Sequence, residues 1–366
     1  MMNARTGTCP YVIAEAGVNH NGDMDLARRL IDAAADAGAD AVKFQTFSAD
    51  ALASENAPKA AYQNVTTDAA ESQLDMLRKL EISHDDHFHL MAHAEQRGID
   101  FLSSPFDEDS IRFLAETLKL KTLKIPSGEI TNAPFLLKAG RSGCDIILST
   151  GMSMLDDVAG ALDVLAFAMS GEQNDATPSR QAFAAARASV AGQAALTGRV
   201  TLLQCTSQYP TPAAGINLRA MATLAETFSL PVGFSDHSEG IAVAIAAAAL
   251  GAVVIEKHFT MDRTLPGPDH KASLEPGELK DMMAGIRAAA AALGDGDKTP
   301  RACELETRAI ARKSLVATRP IKAGETLGPD NIGIKRPGTG ISPMSFWDYC
   351  GTPAGRDYDT DDLIES

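Results

Sequence analysis

The chain has 366 residues, and 45% of them are hydrophobic, which is enough for a sizeable core and excludes a disordered chain. The formal net charge of −15 argues against a nucleic-acid partner, because an acidic surface repels phosphate backbones. The 5 cysteines are spread out and form no CxxC motif, which excludes a disulfide scaffold and predicts a reducing, cytoplasmic location. No apolar stretch reaches the roughly 20 residues that cross a bilayer, and the first residues lack the apolar segment of a secretion signal.

Short β-branched runs alternate with helical patterns along the first 290 residues. The runs predict strands at Tyr11–Gly17, Ala41–Phe47, Asp100–Phe106, Thr122–Gly128, Asp145–Gly151, Val200–Thr206, Leu230–His237 and Ala252–Phe259. An amphipathic segment such as Asp25–Ala37 lies between consecutive runs. Alternation of this kind indicates a parallel sheet, and eight units indicate a closed (β/α)8 TIM barrel rather than an open sheet.

Two connections between the predicted strands are long. Residues 48–99 follow the second strand, so they lie on the side where barrel active sites form and are a candidate lid. Ser170–Gly198 is rich in small and polar residues, and we interpret it as a loop-like insertion on the opposite face. Within the first connection, we interpret the histidine-rich segment as a solvated helix face; its histidines are His84, His87, His89 and His93.

The composition changes near residue 290. We predict a catalytic barrel over residues 1–290, a linker over 291–311 and a small β-rich domain over 312–366. A module of this size builds only a small core, so we expect it to dock on its own barrel or on another chain.

Each predicted strand ends in polar or ionisable residues, whereas its beginning is apolar. These residues are Glu15, Lys43, Gln45, Ser104, Lys124, Ser127, Glu129, Ser149, Thr206, Ser207, Asp236, His237, Glu256 and His258. The carboxyl ends of barrel strands meet at one face, so the pattern predicts an active site there.

His237 and His258 end the last two predicted strands, which are neighbours about 4.8 Å apart in a barrel. Two imidazoles at this spacing can bind one metal ion, and nitrogen and oxygen ligands favour Mn²⁺, Co²⁺, Fe²⁺ or Zn²⁺. Glu256 shares a strand face with His258, which makes it a further ligand or a partner of a ligand.

Lys43 and Lys124 end the second and fourth predicted strands and are expected at the same mouth. Two ammonium groups beside several hydroxyls suit a phosphate and a carboxylate. Solvated rim lysines and a Schiff-base lysine of an aldolase are the alternatives. The carboxyl groups of Glu15, Glu129 and Asp269 are candidates for acid–base catalysis or for orienting a sugar hydroxyl.

Several motifs in this order resemble the bacterial sialic acid synthase family, which includes N-acetylneuraminate, legionaminate and pseudaminate synthases. They begin at residues 13, 42, 124, 148, 235 and 256 and read IAEAGVNHNG, VKFQT, KIPSGE, LSTGM, SDH and EKHFT. The segments KAGE from residue 322 and KRPGTG from residue 335 resemble the family's C-terminal antifreeze-like (SAF) domain. The resemblance runs from about residue 11 to the end of the chain.

The resemblance implies condensation of phosphoenolpyruvate with an N-acylated mannose-type sugar, giving N-acetylneuraminate or N,N'-diacetyllegionaminate and phosphate. It implies a divalent metal at His237 and His258, with Mn²⁺ first and Co²⁺ or Mg²⁺ as alternatives. The implied phosphoenolpyruvate ligands are Lys43, Ser104, Lys124, Ser127, Ser149, Ser207 and Ser235. The implied sugar ligands are Gln45, Tyr209 and Arg336, and the implied catalytic carboxyl groups are Glu129, Glu15 and Asp269.

The family also implies a homodimer in which the SAF domain is swapped onto the neighbouring barrel. Gln204 departs from the family pattern, which commonly has histidine there, and Ser170–Gly198 appears as an insertion. Pseudaminate synthesis and another phosphoenolpyruvate-dependent deoxy-ketulosonate synthesis stay open as alternatives. A sugar-binding or ice-interacting protein without catalysis is the alternative that the tail alone would favour.

Overall fold

The computed structural model describes residues 9–55, 57–59, 71–171 and 177–365. Residues 1–8, for which we predict no secretion signal, lie outside the described residues. The chain divides into two compact units, Met1–Gly294 and Asp295–Ser366. Among the described residues, no helix combines the length and the apolar character needed to cross a membrane.

The first unit contains an eight-stranded parallel sheet. Its strands are β1 Tyr11–Gly17, β2 Ala41–Thr46, β3 Asp100–Pro105, β4 Thr122–Ile125, β5 Asp145–Ser149, β6 Val200–Cys205, β7 Val232–Asp236 and β8 Val254–His258. The strand order is β3-β2-β1-β8-β7-β6-β5-β4, and its two end strands contact each other, which closes the sheet. The predicted TIM barrel is confirmed.

The fourth predicted strand is too long, and its end shows how the mouth of the barrel is built. Strand β4 stops at Ile125, because Pro126 has no amide hydrogen to donate to a neighbouring strand. Residues Ser127–Glu129 then form a 3-10 turn. The predicted site residues of this segment therefore lie on a tight turn rather than on the strand itself.

Side chains of the strands alternate between the barrel interior and the surrounding helices, as the two-residue period of a strand requires. We call the inward apolar layer near the strand beginnings the floor layer; it consists of Ile13, Ala41, Leu102, Ile147, Leu203 and Val254. Two residues further along β1, β2 and β8 the inward positions become Glu15, Lys43 and Glu256. The same period therefore gives the barrel an apolar base and a polar mouth.

Helices surround the sheet and cover its outward apolar side chains. In the first unit the described residues form α1 Met24–Ala37, α2 Ala49–Leu52, α3 Gln73–Arg78, α4 His84–Arg97, α5 Glu108–Arg112, α6 Ala133–Arg141, α7 Leu155–Met169, α8 Arg180–Ala188, α9 Val190–Arg199, α10 Ala220–Phe228, α11 Ala242–Ala249 and α12 Pro276–Leu293. Helix α1 begins where the Asp23 side chain accepts the amide hydrogens of Asp25 and Leu26. It ends at Gly38, whose φ of 80° lies in the left-handed region that favours glycine.

The histidines of α4 do not form one solvated face, so that interpretation is wrong for His87. His87 is fully buried, and its Nε2 lies 2.7 Å from Thr46 Oγ1 while its Nδ1 lies 2.8 Å from the Ser83 carbonyl oxygen. It precedes the buried Leu90 by three positions, which places both on the inner side of the helix. The exposed His89 belongs to the outer side.

The described part of Ser170–Gly198 is helical rather than loop-like, which corrects the prediction from composition. Helices α8 and α9 pack against α7, and the Phe183 ring meets the Phe167 ring edge to face at a centroid distance of 5.1 Å. Arg187 Nε also lies 2.7 Å from Asp163 Oδ1. The alanines that suggested a tolerant loop are good helix formers.

The second unit has a small core of its own. Strands β9 Ser314–Ala317 and β10 Ile332–Lys335 pair antiparallel, and short helices cover residues Leu305–Ala311 (α13) and Phe346–Tyr349 (α14). The buried core residues are Leu315, Ala317, Ile321, Leu327, Ile332, Ala354, Tyr358 and Ile364. This is the small β-rich C-terminal fold that the sequence predicts.

Candidate active site

A cavity of about 350 Å³ opens at the carboxyl ends of the barrel strands. Its lining brings together most of the residues that the sequence predicts for the site. They are Glu15, Lys43, Gln45, Ser104, Lys124, Ser127, Ser149, Ser207, Tyr209, Ser235, His237, His258 and Asp269.

The two lysines are buried in a cluster of alternating charges. Lys43 Nζ contacts the Glu15 carboxylate closely and lies 3.6 Å from Glu256. Lys124 Nζ lies 3.2 Å from the same Glu256 carboxylate, which also accepts a 2.8 Å hydrogen bond from Ser235 Oγ. Glu256 is therefore a bridge between the lysines in this arrangement rather than a neighbour of one histidine alone.

Burial and the nearby lysines shift the pKa values of the two carboxyl groups of this cluster in opposite directions. Burial raises the pKa of Glu15 to about 7, and the single close ammonium of Lys43 only partly opposes it. Burial would also raise the pKa of Glu256, but Lys124 and Lys43 outweigh it and hold that pKa well below its usual range. Glu256 therefore keeps its charge and stabilises the two ammonium groups inside the barrel.

Hydroxyl groups form a second part of the lining around Gly151. The Gly151 amide donates to Ser127 Oγ at 3.0 Å, and Ser127 Oγ lies 3.1 Å from Cys205 Sγ. A Cβ at position 151 would lie 2.5 Å from Ser207 Oγ and 2.8 Å from Ser127 Oγ, so only glycine permits this approach. The buried Ser149 Oγ has no hydrogen-bond partner among the described residues, which leaves its hydroxyl group for a ligand.

The two histidines meet at the end of the cavity formed by β7 and β8, with ring centroids 5.6 Å apart. His237 Nδ1 lies 2.7 Å from the Thr206 carbonyl oxygen and donates to it, which leaves a lone pair on Nε2. Nε2 lies 2.9 Å from the hydroxyl of Tyr209. In His258, Nδ1 is buried and no described residue bonds to it.

The electrostatics of the histidine pair suit metal ligation, which requires neutral imidazoles. Burial lowers the pKa of His237 to about 4 and that of His258 well below its ordinary value. The described residues contain no group of three or more histidine, cysteine or carboxylate side chains arranged around one point for a metal. Two neutral imidazoles with ring centroids 5.6 Å apart fit a site to which the protein supplies two nitrogen ligands.

Among the other residues singled out from the sequence, Asp269 lines the cavity, whereas Glu129, Arg336 and Gln204 do not. Asp269 is only 8% exposed, and burial raises its pKa to about 6. Glu129 follows the lining residue Gly128 but is not itself in the lining, and its carboxylate accepts from Asn132 Nδ2 at 2.7 Å. Arg336 belongs to the second unit, where its Nε donates to the Ala311 carbonyl oxygen at 3.1 Å. Gln204 is absent from the lining, and its amide donates to the Ile216 carbonyl oxygen.

One side of the cavity is apolar and is not predicted from the sequence; we call it the apolar wall. It consists of the lining residues Val18, Phe47, Leu52, Ala53, Met76, Leu77, Leu80 and Phe106. Most of them come from the connection between β2 and β3, which the sequence marks only as a candidate lid. In the sequence, the spacing of Met76, Leu77 and Leu80 indicates a helix with a buried apolar face. It does not indicate that this face lies against the cavity.

Comparison with known proteins identifies the family. The NeuB family model matches residues 30–298, and the SAF domain model matches residues 312–353. The chain is 48% identical to the N,N'-diacetyllegionaminic acid synthase of Campylobacter jejuni, covering 96% of this chain and 98% of that protein. It is 44% identical to the enzyme of the same name from Legionella pneumophila, covering 94% of this chain and 90% of that protein.

A solved structure agrees with this relationship. The N-acetylneuraminic acid synthetase of Leptospira borgpetersenii aligns with a TM-score of 0.64 and 31% identity, covering 82% of this chain and 91% of that one. The resemblance seen in the motifs is thus confirmed, and the chain belongs to the NeuB family.

Proposed function

We propose that this protein is a synthase that condenses phosphoenolpyruvate with an N-acylated mannose-type sugar, releasing phosphate. The product is N,N'-diacetyllegionaminate or N-acetylneuraminate, and the names of the relatives support this choice. The observation that carries the proposal is the pair of buried lysines beside the unpartnered Ser149 hydroxyl. These are groups that bind an anion, in the part of a barrel where active sites form.

Phosphoenolpyruvate is assigned to the polar part of the cavity. Lys43 and Lys124 supply the cationic charge, and Glu256 holds both ammonium groups in place before the substrate arrives. The hydroxyls of Ser104, Ser127, Ser149 and Ser207 donate hydrogen bonds to the phosphate and carboxylate oxygens. Ser235 instead gives its single hydroxyl hydrogen to Glu256 and so supports the site through that carboxylate. Preorganised donors of this kind need little rearrangement during the reaction.

A divalent metal, Mn²⁺ in the first place, is assigned to His237 and His258. When bound there, the metal supplies a Lewis acid that polarises the aldehyde of the open-chain sugar. Thr206 orients the His237 ring through its carbonyl oxygen, and the Tyr209 hydroxyl lies beside Nε2 of the same ring. Gln45 and Tyr209 line the same cavity, which supports their assignment to the sugar.

The condensation forms a carbon–carbon bond between C3 of phosphoenolpyruvate and the aldehyde carbon. The aldehyde oxygen takes up a proton, water adds at C2, and the resulting tetrahedral adduct expels phosphate to leave the keto acid. Glu15 and Asp269 lie in the cavity as candidates for these proton transfers. Glu129 stays a candidate by its motif, although the geometry favours the two lining carboxyl groups.

The test measures phosphate release from phosphoenolpyruvate in the presence of N-acetylmannosamine or the diacetamido-trideoxy sugar, with Mn²⁺ added. We expect release with at least one of them, and we expect Lys124→Met to lose it. Lys280→Met, in an exposed position on α12, serves as the matched control and should retain activity. Trapping of a pyruvate adduct by borohydride would instead indicate the Schiff-base aldolase.

A further inference from the structure

We propose that the turn between β1 and α1 positions the carboxyl group of Asp269 for the reaction. This inference rests on the proposed function, because Asp269 is one of the two lining carboxyl groups that are candidates for its proton transfers. We call residues 18–23 the asparagine turn, after Asn19 and Asn21. Neither asparagine lines the cavity, so both are positioning residues that act through Asp269 rather than catalytic residues.

Asp269 belongs to the connection between β8 and α12, residues 259–275, which we call the Asp269 loop. The two ends of the loop pair with each other. The Thr260 amide donates to the Leu274 carbonyl oxygen at 2.8 Å, and the Leu274 amide donates to the His258 carbonyl oxygen at 2.9 Å. No described residue donates a hydrogen bond to the Asp269 carboxyl group, so the backbone of the loop sets its direction.

Asn19 reaches this backbone through a directed relay of hydrogen bonds. Its Nδ2 donates to the Phe259 carbonyl oxygen at 2.8 Å and to Ser273 Oγ at 2.9 Å. Because Ser273 Oγ accepts from Asn19, its own hydroxyl hydrogen is directed to the Asp269 carbonyl oxygen, 2.7 Å away. Asn19 and Ser273 are at most 2% exposed, so water does not compete for these bonds.

Asn21 holds the loop on both sides of Asp269. Its Nδ2 donates to the Pro266 carbonyl oxygen at 2.8 Å, and its Oδ1 lies 3.2 Å from His270 Nε2. An amide oxygen can only accept, so His270 carries its hydrogen on Nε2, and its Nδ1 accepts from the Thr260 hydroxyl at 2.7 Å. Burial lowers the pKa of His270 to about 4, which keeps the ring in the neutral form that this arrangement requires.

The contact between the turn and the loop depends on particular residue types. Gly267 has a φ of 147°, in the region that favours glycine, and a Cβ there would lie 2.9 Å from Asn21 Oδ1 and 2.7 Å from His270 Cδ2. Asn21 has a φ of 51°, a left-handed conformation that asparagine adopts more readily than most residues. The two segments are therefore fitted to each other at these positions.

A double-mutant cycle in the full chain tests the relay, with the sugar that gives phosphate release from the intact protein. Ser273→Ala should lower kcat/KM for the sugar by about 10- to 100-fold, because misplacing a reacting group by about 1 Å has a cost of this order. The KM for phosphoenolpyruvate should stay within about twofold. In chains that carry Asp269→Asn, adding Ser273→Ala should change kcat/KM by less than about twofold, since the carboxyl group that it displaces is already gone.

Asn21→Gly tests the other arm of the contact, because glycine keeps the left-handed backbone and removes both side-chain bonds. It should behave as Ser273→Ala does, and its effect should likewise disappear in Asp269→Asn chains. If Ser273→Ala does not fold, Asn21→Gly decides alone. Phosphate release is followed with enzyme in excess over sugar, so that slow single turnovers of the Asp269→Asn chains are measured.

Ser142→Ala is the matched control. Ser142 Oγ donates to the Ala139 carbonyl oxygen at 2.6 Å and accepts from the Cys144 amide at 3.2 Å, so it also joins two backbone segments. It precedes β5 and lies at the end of the barrel opposite the mouth. Its kcat/KM should stay within about twofold of the intact protein.

The outcomes separate this inference from the proposed function. Folded Ser273→Ala and Asn21→Gly proteins with unchanged kcat/KM, or with the same loss in the presence and absence of the Asp269 carboxyl group, would overturn the inference alone. An Asp269→Asn protein as active as the intact one would also overturn it. Absence of phosphate release from the intact protein with either sugar overturns the proposed function, and the role of the turn falls with it.

Discussion

His237 and His258 are held differently, although both belong to the proposed metal site. The ring of His237 is fixed by Thr206, whereas Nδ1 of His258 has no hydrogen-bond partner among the described residues. A backbone carbonyl oxygen that accepts a hydrogen bond from one nitrogen of an imidazole orients the ring and raises the basicity of the other nitrogen. His237 would therefore be the better preorganised ligand of the proposed metal, and His258 would depend more on that metal for its position.

Replacement of either histidine by alanine should abolish Mn²⁺ binding and lower kcat/KM at least about 100-fold, because a ligand to the aldehyde-polarising metal is lost. Mn²⁺ binding is measured directly by electron paramagnetic resonance on the folded variants, independently of turnover. His89→Ala, at an exposed position of α4, should bind Mn²⁺ as the intact protein does. Turnover that persists in EDTA would contradict the metal site.

From the burial of His87 we predict that the stability of the protein, rather than its catalysis, depends on pH. Burial lowers its pKa from the ordinary 6.5 to about 4, and its ring bridges Thr46 and Ser83 in the neutral form. Above pH 6.5 neither the folded nor the unfolded state is protonated there. Between pH 6.5 and 4 only the unfolded state takes up the proton, so the free energy of unfolding falls by up to about 1.4 kcal/mol per pH unit.

Urea unfolding at several pH values checks this dependence. His87→Gln removes the titrating ring, so its stability should fall less steeply between pH 6.5 and 4 than that of the intact protein. His89→Gln, on the exposed side of the same helix, should leave the slope unchanged. A His87→Gln protein with the original slope would show that this histidine is not the group responsible; His20, whose pKa burial also lowers to about 4, would be the next candidate.

Helices α8 and α9 pack on the outside of the barrel and contribute no residue to the lining of the cavity. Phe183→Ala should lower the free energy of unfolding by about 2 kcal/mol, less than a fully buried phenylalanine, because its partly buried ring packs on Phe167. The KM for phosphoenolpyruvate should not change, since the pair precedes β6 and lies away from the cavity lining. Val190→Ala, at an 89% exposed position, is the control for stability.

The elements differ in how well the sequence predicts them. The strands and their polar ends follow from local alternation, so Lys43, Lys124 and the histidines are predicted to meet. Glu256 bridges the two lysines only because three strands come together. No pattern in the local sequence predicts that these side chains come within contact of each other. The apolar wall was missed for the same reason, because no local pattern shows that Leu77 lines the same cavity as the strand ends.

The predicted exchange of domains between subunits can be tested at Arg336. The family resemblance implies that the second unit of one subunit serves the barrel of its partner, and a guanidinium suits the N-acyl oxygen of a sugar. Arg336→Ala should therefore raise the KM for the sugar more than the KM for phosphoenolpyruvate. Chains carrying Arg336→Ala and chains carrying His237→Ala, mixed under conditions of subunit exchange, should regain activity.

The restored activity has a simple origin, since a mixed dimer contains one site with both residues intact. The heterodimer is verified by native mass spectrometry. Each parent protein alone, assayed at a sugar concentration far below the raised KM of Arg336→Ala, serves as the low-activity control. A verified heterodimer that stays inactive would place Arg336 in the site of its own chain or outside any site.

The floor layer has a consequence for how this barrel can change over time. None of its six side chains lines the cavity, and the residues that do line it stand on later strand positions and on the connections. Mutations in the two layers are therefore subject to different selection, one for foldability and the other for chemistry. A lineage can exchange the mouth for new substrates while inheriting the base unchanged, and a laboratory library confined to the mouth starts with that same advantage.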